Sequence, residues 1–226
     1  TVPTDNVVPV PDSIDDKVAA AIMLKGLTSH MLLFKIHPVK KGESVLVHAA
    51  AGGVGAILTQ WAKHLGCLVI GTAGGAEKVA FAKAHGCDHV IDYTREDFTK
   101  RTKEITNGKG VSVVYDGVGK DTFLGSLDAL EPFGHMVTYG NASGPVDPIS
   151  PLLLTQKGSL TLSRPTLFTY TADPAMRRKA AADLFDVVAK GVVNIEIGQT
   201  FALKDVGQAH VALASRKTSG STVLIP

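Results

Sequence analysis

The residues with the clearest chemical potential form a glycine-rich turn, "HAAAGGVG", at positions 48–55. Gly52, Gly53 and Gly55 follow an apolar run and precede a helical pattern, and Ala50 stands where a G-x-G-x-x-G frame has its first glycine. Glycines in such a turn let the backbone approach a dinucleotide pyrophosphate, which then sits at the positive end of the helix. Alone, the turn is equally compatible with a simple tight turn. Its place between a strand pattern and a helix pattern favours dinucleotide binding.

The end of the next apolar run indicates which dinucleotide would bind. An NAD site usually carries Asp or Glu there, about 20 residues after the glycines, whereas "CLVIGTAGGAEK" offers Gly71, Thr72 and Ala73. A carboxylate would repel a 2′-phosphate, and small residues with a nearby cation, here Lys78, would accept it. This pattern predicts NADP(H). The alternatives are that Lys78, beside Glu77, is an ordinary solvated helix lysine, or, more weakly, that the turn holds S-adenosylmethionine, whose sites also want an acidic residue here.

The elements around these residues follow a repeated strand–helix order. Five strand patterns alternate with four helical patterns, and the strands read "ESVLVH", "CLVIGT", "HVIDY", "VSVVYD" and "HMVTYG". This alternation predicts an α/β fold, a doubly wound parallel sheet of the Rossmann type with right-handed crossovers. The helix after the turn has an apolar face for the sheet, formed by Ile57, Leu58, Trp61, Ala62 and Leu65.

Helix ends are marked by residues with special backbone or capping properties. Gly66, Gly86 and Gly134 fall where a helix C-terminus takes positive φ. Ser13 is the expected cap of a helix that begins at Asp15. Further helices and strands are expected near the C-terminus, among them a helix with Pro174 in its first turn.

The composition of the chain argues against several classes of function. The chain has 226 residues, 45% of them hydrophobic, with a net charge of +2 and scattered lysines, so no nucleic-acid partner is expected. The run 45–62 is broken by His48, three glycines and Gln60, so no membrane span is expected there. Cys67 and Cys87 form neither a zinc motif nor a disulfide framework, which predicts a cytoplasmic setting. The histidines match no catalytic motif and are expected at the surface or at element ends.

Several motifs together resemble one family: "AAAIMLKGLTSHMLL", "VLVHAAAGGVG", "GTAGGAEK", "VIDY", "VVYDGVG", "YGNASG", "LSRPTL" and "ALASRKTSGSTVLIP". Together they are similar to the zinc-free NADPH:quinone oxidoreductases, related to zeta-crystallin, of the medium-chain dehydrogenase/reductase superfamily. The resemblance covers the whole chain. It implies a remnant of the N-terminal catalytic domain at 1–14, an NADP-binding Rossmann domain at 15–165, and C-terminal segments at 166–226 that complete the Rossmann domain and pack back on the catalytic domain. That catalytic domain, a GroES-like β-barrel, would precede Thr1, and "NVVPVP" would be its last strand.

The same resemblance implies a set of cofactor contacts. They are Thr28; Gly52, Gly53, Val54 and Gly55 at the pyrophosphate; Gly74, Gly75, Ala76 and Lys78 around the 2′-phosphate; Tyr93 and Val118 at the adenosine side; Tyr139, Gly140, Asn141 and Arg164 toward the nicotinamide; and Arg216, which reaches back late in the chain. The alternative for Tyr139 is a core position, and for Arg164 and Arg216 the surface.

Two departures from the family pattern concern the active-site wall. Met31 stands where a quinone reductase often presents a tyrosine, and Lys25 stands where the zinc alcohol dehydrogenases have a metal-ligating cysteine. Because an ammonium does not ligate zinc, Lys25 favours the zinc-free branch and no metal is expected.

The resemblance implies hydride transfer from NADPH to a quinone or related α,β-unsaturated carbonyl, with no catalytic side chain assigned. The alternative is an NADPH-binding structural or regulatory module without turnover. A homodimer through the uncharged edge strand Gly158–Ser163 is expected.

Overall fold

The computed structural model describes residues 1–215 and 218–226. Over these residues a six-stranded sheet has the order β3-β2-β1-β4-β5-β6, and every neighbouring pair is parallel. This is the strand order of a doubly wound Rossmann sheet, so the predicted fold class is confirmed. The strands of this sheet are β1 (Ser44–Val47), β2 (Leu68–Ala73), β3 (His89–Asp92), β4 (Val111–Asp116), β5 (Leu130–Thr138) and β6 (Thr161–Ser163).

Helices cover both faces of the sheet. They are α1 (Asp16–Met31), α2 (Gly53–His64), α3 (Ala76–Ala84), α4 (Phe98–Ile105), α5 (Phe123–Ala129), α6 (Leu152–Gln156), α7 (Leu167–Tyr170), α8 (Pro174–Ala189) and α9 (Val206–Ala214). Successive residues of a strand point to opposite faces. Val45 and Val47 therefore join one buried cluster, whereas Leu46 joins the other. The predicted apolar face of α2 is buried in the first cluster, and Asp173 caps α8 with Pro174 in its first turn.

The first long helix differs from expectation at its start. Asp15 is the N-cap, because its carboxylate accepts hydrogen bonds from the backbone N–H of Lys17 (2.9 Å) and Val18 (3.3 Å); the expectation of Ser13 was wrong. With the π-helical turn that follows it, Asp16–Ile36 has a mean hydropathy of 1.3 and is long enough to cross a membrane, yet 61% of its most apolar stretch is buried. It packs against α2 and α8, and this packing accounts for its apolar composition.

The prediction for Gly134 was also wrong, whereas Gly66 (φ 85°) and Gly86 (φ 93°) do have the predicted positive φ. Helix α5 ends at Ala129 and β5 begins at the next residue, so Gly134 lies inside a strand. The pairing of β5 with β4 is irregular here, and Phe133 takes the positive φ of 64°. The irregular pairing of β4 with β5 places the positive φ at Phe133 and not at Gly134, and a local sequence pattern does not reveal such a bulge.

The ends of the chain form no part of the main sheet. "NVVPVP" belongs to no strand, and within the described residues no strand lies alongside it to complete a ladder. β7 (Ile197–Ala202) and β8 (Ser221–Ile225) form a separate parallel pair, and β8 packs on α1. The division into 1–14, 15–165 and 166–226 stays a prediction.

Candidate functional site

The glycine turn lies at the carboxyl end of β1 and leads directly into α2. Ala50 N–H donates to the Thr72 carbonyl (2.9 Å), and Gly52 N–H donates to the Ala49 carbonyl (2.8 Å). These bonds fold the turn back under the helix. A Cβ on Gly55 would lie 2.3 Å from the Ala49 oxygen and 2.8 Å from the Ala50 Cα. The close approach of helix and turn therefore requires glycine at position 55.

A cavity of about 440 Å³ opens over this turn, between the carboxyl ends of β1, β2 and β4. It brings together five predicted cofactor residues: Gly52, Gly74, Lys78, Tyr93 and Val118. Gly53, Val54 and Gly55 form the first turn of α2 next to it, and Gly75 and Ala76 begin α3. A cleft at this edge, where the strand order reverses, is the usual ligand site of such sheets.

The part of the cavity formed by the ends of β2 and β3 has the character expected for a 2′-phosphate. Thr72 and Ala73 line it without a carboxylate, and half-buried Lys78 lines it while Glu77 is exposed. The Tyr93 ring lies against Gly74, where a Cβ would be 2.6 Å from the tyrosine oxygen.

Nearby, Asp92 at the end of β3 accepts hydrogen bonds from Thr94 and from Gly75 N–H (3.1 Å). These hydrogen bonds lower the pKa of Asp92, and the bond from the Thr94 side chain has the largest effect. The carboxylate is thus hydrogen-bonded to the Thr94 hydroxyl and to the backbone N–H groups of Thr94 and Gly75.

Beneath the cavity, buried His48 joins two strands and a helix. The Ser126 hydroxyl donates to the Thr122 carbonyl (2.8 Å), so it accepts a hydrogen bond from His48 Nε2 (2.9 Å). His48 Nδ1 then accepts from the Thr72 hydroxyl (3.0 Å). Burial lowers the pKa of His48, against the opposing effect of the Asp116 charge. The ring is therefore neutral, with its proton on Nε2, and cannot serve as a cationic phosphate contact.

Asp116, at the end of β4, is fully buried and holds the loop that carries Val118. Oδ1 accepts from Val118 N–H (2.7 Å) and Gly119 N–H (3.1 Å), and Oδ2 accepts from the Thr122 hydroxyl (2.8 Å). Sequence reasoning missed Asp116 and Thr122 as site residues. An aspartate followed by glycine at a strand end, "YDGVG", is a turn-forming pattern that would have identified the first of them.

A smaller cavity of about 290 Å³ contains two of the four residues predicted toward the nicotinamide, Tyr139 and Arg164. Thr28, Met31, Tyr139 and Arg164 line it. Arg164 donates to the Thr138 hydroxyl (3.0 Å) and to the Gly140 carbonyl (2.9 Å), which fixes the end of β5. The Tyr139 pKa is raised by burial, so its phenol stays neutral.

Asn141 and His30 line neither of these two cavities. Asn141 is exposed in the loop after β5, and Arg216 lies outside the described residues. His30 lies in the last turn of α1, an element end as expected, and it is buried there. Its Nε2 is 3.0 Å from Asp183 Oδ2, and its Nδ1 is 2.9 Å from the Tyr170 hydroxyl. Over residues 1–215 and 218–226, no group of three or more His, Cys, Asp or Glu side chains is placed to hold a metal ion.

Comparison with known proteins agrees with this geometry. Residues 53–186 match the family model described as zinc-binding dehydrogenase. The chain is 48% identical to a quinone oxidoreductase of Pseudomonas aeruginosa over 98% of its own length and 68% of that protein. It is 44% identical to a 2-haloacrylate reductase of Burkholderia over 99% of its length and 68% of that protein.

Among solved structures, the quinone oxidoreductase of Escherichia coli complexed with NADPH superposes with a TM-score of 0.94 at 45% identity, covering 98% of this chain and 69% of that one. The chain therefore belongs to the quinone oxidoreductase family of the medium-chain dehydrogenase/reductase superfamily.

Proposed function

We propose that this protein binds NADPH along the carboxyl edge of its sheet and uses it to reduce a quinone or a related α,β-unsaturated carbonyl. The observation that carries the proposal is the glycine turn at β1, which faces a cavity lined at β2 by Thr72, Ala73 and Lys78. Relatives named quinone oxidoreductase and 2-haloacrylate reductase, and a relative's structure complexed with NADPH, support it.

The residues present fit a dinucleotide. Gly55 has no room for a side chain, since a Cβ there would meet backbone atoms. The first N–H groups of a helix have no partner within the helix, and those at the start of α2 could therefore bind a pyrophosphate. Lys78 would hold the 2′-phosphate, while Tyr139 and Arg164 would line the nicotinamide side. When bound, NADPH supplies the hydride. The protein's part is to position the nicotinamide and exclude water.

Titration of the chain with NADPH and NADH tests the binding part. We expect tighter binding of NADPH, because the 2′-phosphate gains a charge-assisted bond that NADH lacks. Equal affinity for both would contradict the assignment of the 2′-phosphate site. Loss of NADPH absorbance that depends on added quinone or 2-haloacrylate tests turnover. Binding without turnover would instead favour the NADPH-binding module.

The metal content and assembly of the protein are part of the same proposal. We infer a zinc-free enzyme, since Lys25 occupies the position of a zinc-ligating cysteine, and metal analysis of the purified protein tests this. We infer a homodimer through the edge strand Gly158–Ser163, supported by the position of β6 at the end of the sheet and by the exposed ring of nearby Phe133. A monomeric mass by light scattering would contradict the dimer.

We also infer a cytoplasmic location. Its support is that Cys67 and Cys87 are both free and buried. Fractionation of cells that produce the protein tests the location, and recovery in a membrane or secreted fraction would contradict it.

A further inference from the structure

Lys25 on α1 lies across the start of α2, in a position that the function so far leaves unexplained. A Cβ on Gly53 would be 2.6 Å from Lys25 Cδ and Cε and 3.0 Å from its Nζ. The ammonium thus lies over the first residue of α2. The next residue, Gly26, packs against Leu184 so closely that a Cβ would be 2.4 Å from its Cδ2, which holds α1 against α8. The position of Lys25 follows from the packing of α1 and is not that of a lysine on an open surface.

The surroundings of the Lys25 ammonium are electrostatically unfavourable in the absence of an anion. The side chain is half-buried, and desolvation lowers its pKa. Among the residues that the structure describes, none accepts a hydrogen bond from it or forms an ion pair with it. It also stands at the positive end of α2, whose first turn has no acidic residue. The end of the side chain therefore lies beside the first residue of α2, with its Nζ 3.0 Å from where a Gly53 Cβ would be.

We propose that Lys25 is a binding residue for the pyrophosphate of the dinucleotide, whose charge its ammonium neutralises while the backbone N–H groups of α2 orient it. The inference rests on the proposed function and deepens it. It gives the two lysines different roles: Lys78 would bind the 2′-phosphate that only NADPH has, whereas Lys25 would bind a group that NADPH and NADH share.

This difference defines the experiment. The dissociation constants for NADPH and NADH are measured for the parent chain, Lys25→Met, Lys25→Arg and the control Lys17→Met, an exposed lysine on the same helix. We expect Lys25→Met to weaken both dinucleotides by the same factor, about 10- to 100-fold, as for the loss of one charge-assisted bond. Lys25→Arg should restore most of the affinity, and Lys17→Met should leave it unchanged.

Adenosine 2′,5′-bisphosphate provides a second comparison, since it lacks the pyrophosphate. We expect it to lose less affinity than NADPH in Lys25→Met. Unchanged dinucleotide affinity in Lys25→Met, or loss for NADPH alone, would overturn the role of Lys25 while leaving NADPH binding intact. Failure of the parent chain to bind NADPH would instead refute the proposed function.

A further measurement covers the case in which Lys25→Met does not fold, as judged by circular dichroism. Calorimetry in two alkaline buffers of different ionisation heat reports proton uptake on binding. Because the pKa of Lys25 is lowered in the free protein and an anion raises it, we expect uptake by the parent chain and less by Lys25→Arg. Equal uptake by the two proteins would overturn the proposal.

Discussion

Replacing Gly55 by alanine tests how the cofactor turn is built. The added methyl carbon would lie 2.3 Å from the Ala49 oxygen and 2.8 Å from the Ala50 Cα. Both opposing atoms are backbone, and the turn is held by the bonds of Ala50 to Thr72 and of Gly52 to Ala49. No rotamer change can relieve the overlap. Either α2 moves away from β1 or the turn opens.

The size of the effect follows from this geometry. The carbon–oxygen separation is short by about 1 Å against an ordinary contact. Overpacking of a close-packed site usually costs about 1–3 kcal/mol, and because the obstacle is backbone we expect the free energy of unfolding to fall by about 2–3 kcal/mol. A shift of α2 by about 1 Å would also move its N–H groups away from the proposed pyrophosphate position, so NADPH affinity should fall at least about tenfold, the loss of one good hydrogen bond.

Urea denaturation and NADPH titration of Gly55→Ala measure both quantities, and Gly207→Ala is the matched control. Gly207 lies in α9, and a Cβ there meets nothing within 4 Å. Helix propensity alone acts at this position, so we expect Gly207→Ala to gain about 0.5–1 kcal/mol. If Gly55→Ala were as stable as the parent and bound NADPH equally well, the close approach of α2 to the turn would not require glycine and the reasoning would be refuted.

Three other substitutions probe the site and its support. Lys78→Met should raise the dissociation constant of NADPH about 10- to 100-fold without changing that of NADH; a parallel loss for both in titrations would contradict the 2′-phosphate assignment. Burial, with the neighbouring His37, lowers the pKa of His135 from 6.5 to about 4. The unfolded chain therefore binds more protons between these values, and stability should fall by about 1–2 kcal/mol as the pH decreases through that window, allowing for partial exposure; a urea series in which His135→Asn loses as much would show that another group is responsible. Asp116→Asn should cost about 2–3 kcal/mol, since the new amide cannot accept all three bonds, including that from Thr122; thermal unfolding at the parent's Tm would argue against this.

Local patterns predicted the elements and the glycine turn because these depend on residues close in sequence. The apolar face of α2 is an example, since Ile57 and Trp61 are one helical turn apart and both are buried. The edge of a parallel sheet then brings the loops after its strands together. For this reason Gly52, Lys78 and Val118 line one cavity although they follow three different strands, β1, β2 and β4.

What the sequence did not predict depends on partners that are distant in the chain. His30 lies at the end of α1, as expected, but its burial and its partner were not predicted, because Asp183 is 153 positions away and no periodicity in α1 indicates it. Gly134 was misplaced because the irregular pairing of β5 with β4 decides where α5 ends. At the start of α1, Ser13 and Asp15 are both capping residues, and only the backbone geometry chooses between them.

The acidic side chains at the carboxyl edge explain how this edge remains suitable for a polyanion. Asp116 directs its two oxygens to the N–H groups of Val118 and Gly119 and to Thr122, and Asp92 binds Gly75 N–H and Thr94. Each carboxylate thus accepts hydrogen bonds that order a loop of the site. A carboxylate satisfied in this way exerts less repulsion on a phosphate than one that faces the cavity. Among the residues that the structure describes, Lys78 and Asp121 are the charged side chains that line the cavity itself, whereas Asp116 and Asp92 hold the loops around it. We therefore expect substitutions of Lys25 and Lys78 to change dinucleotide affinity more than a substitution of Asp92.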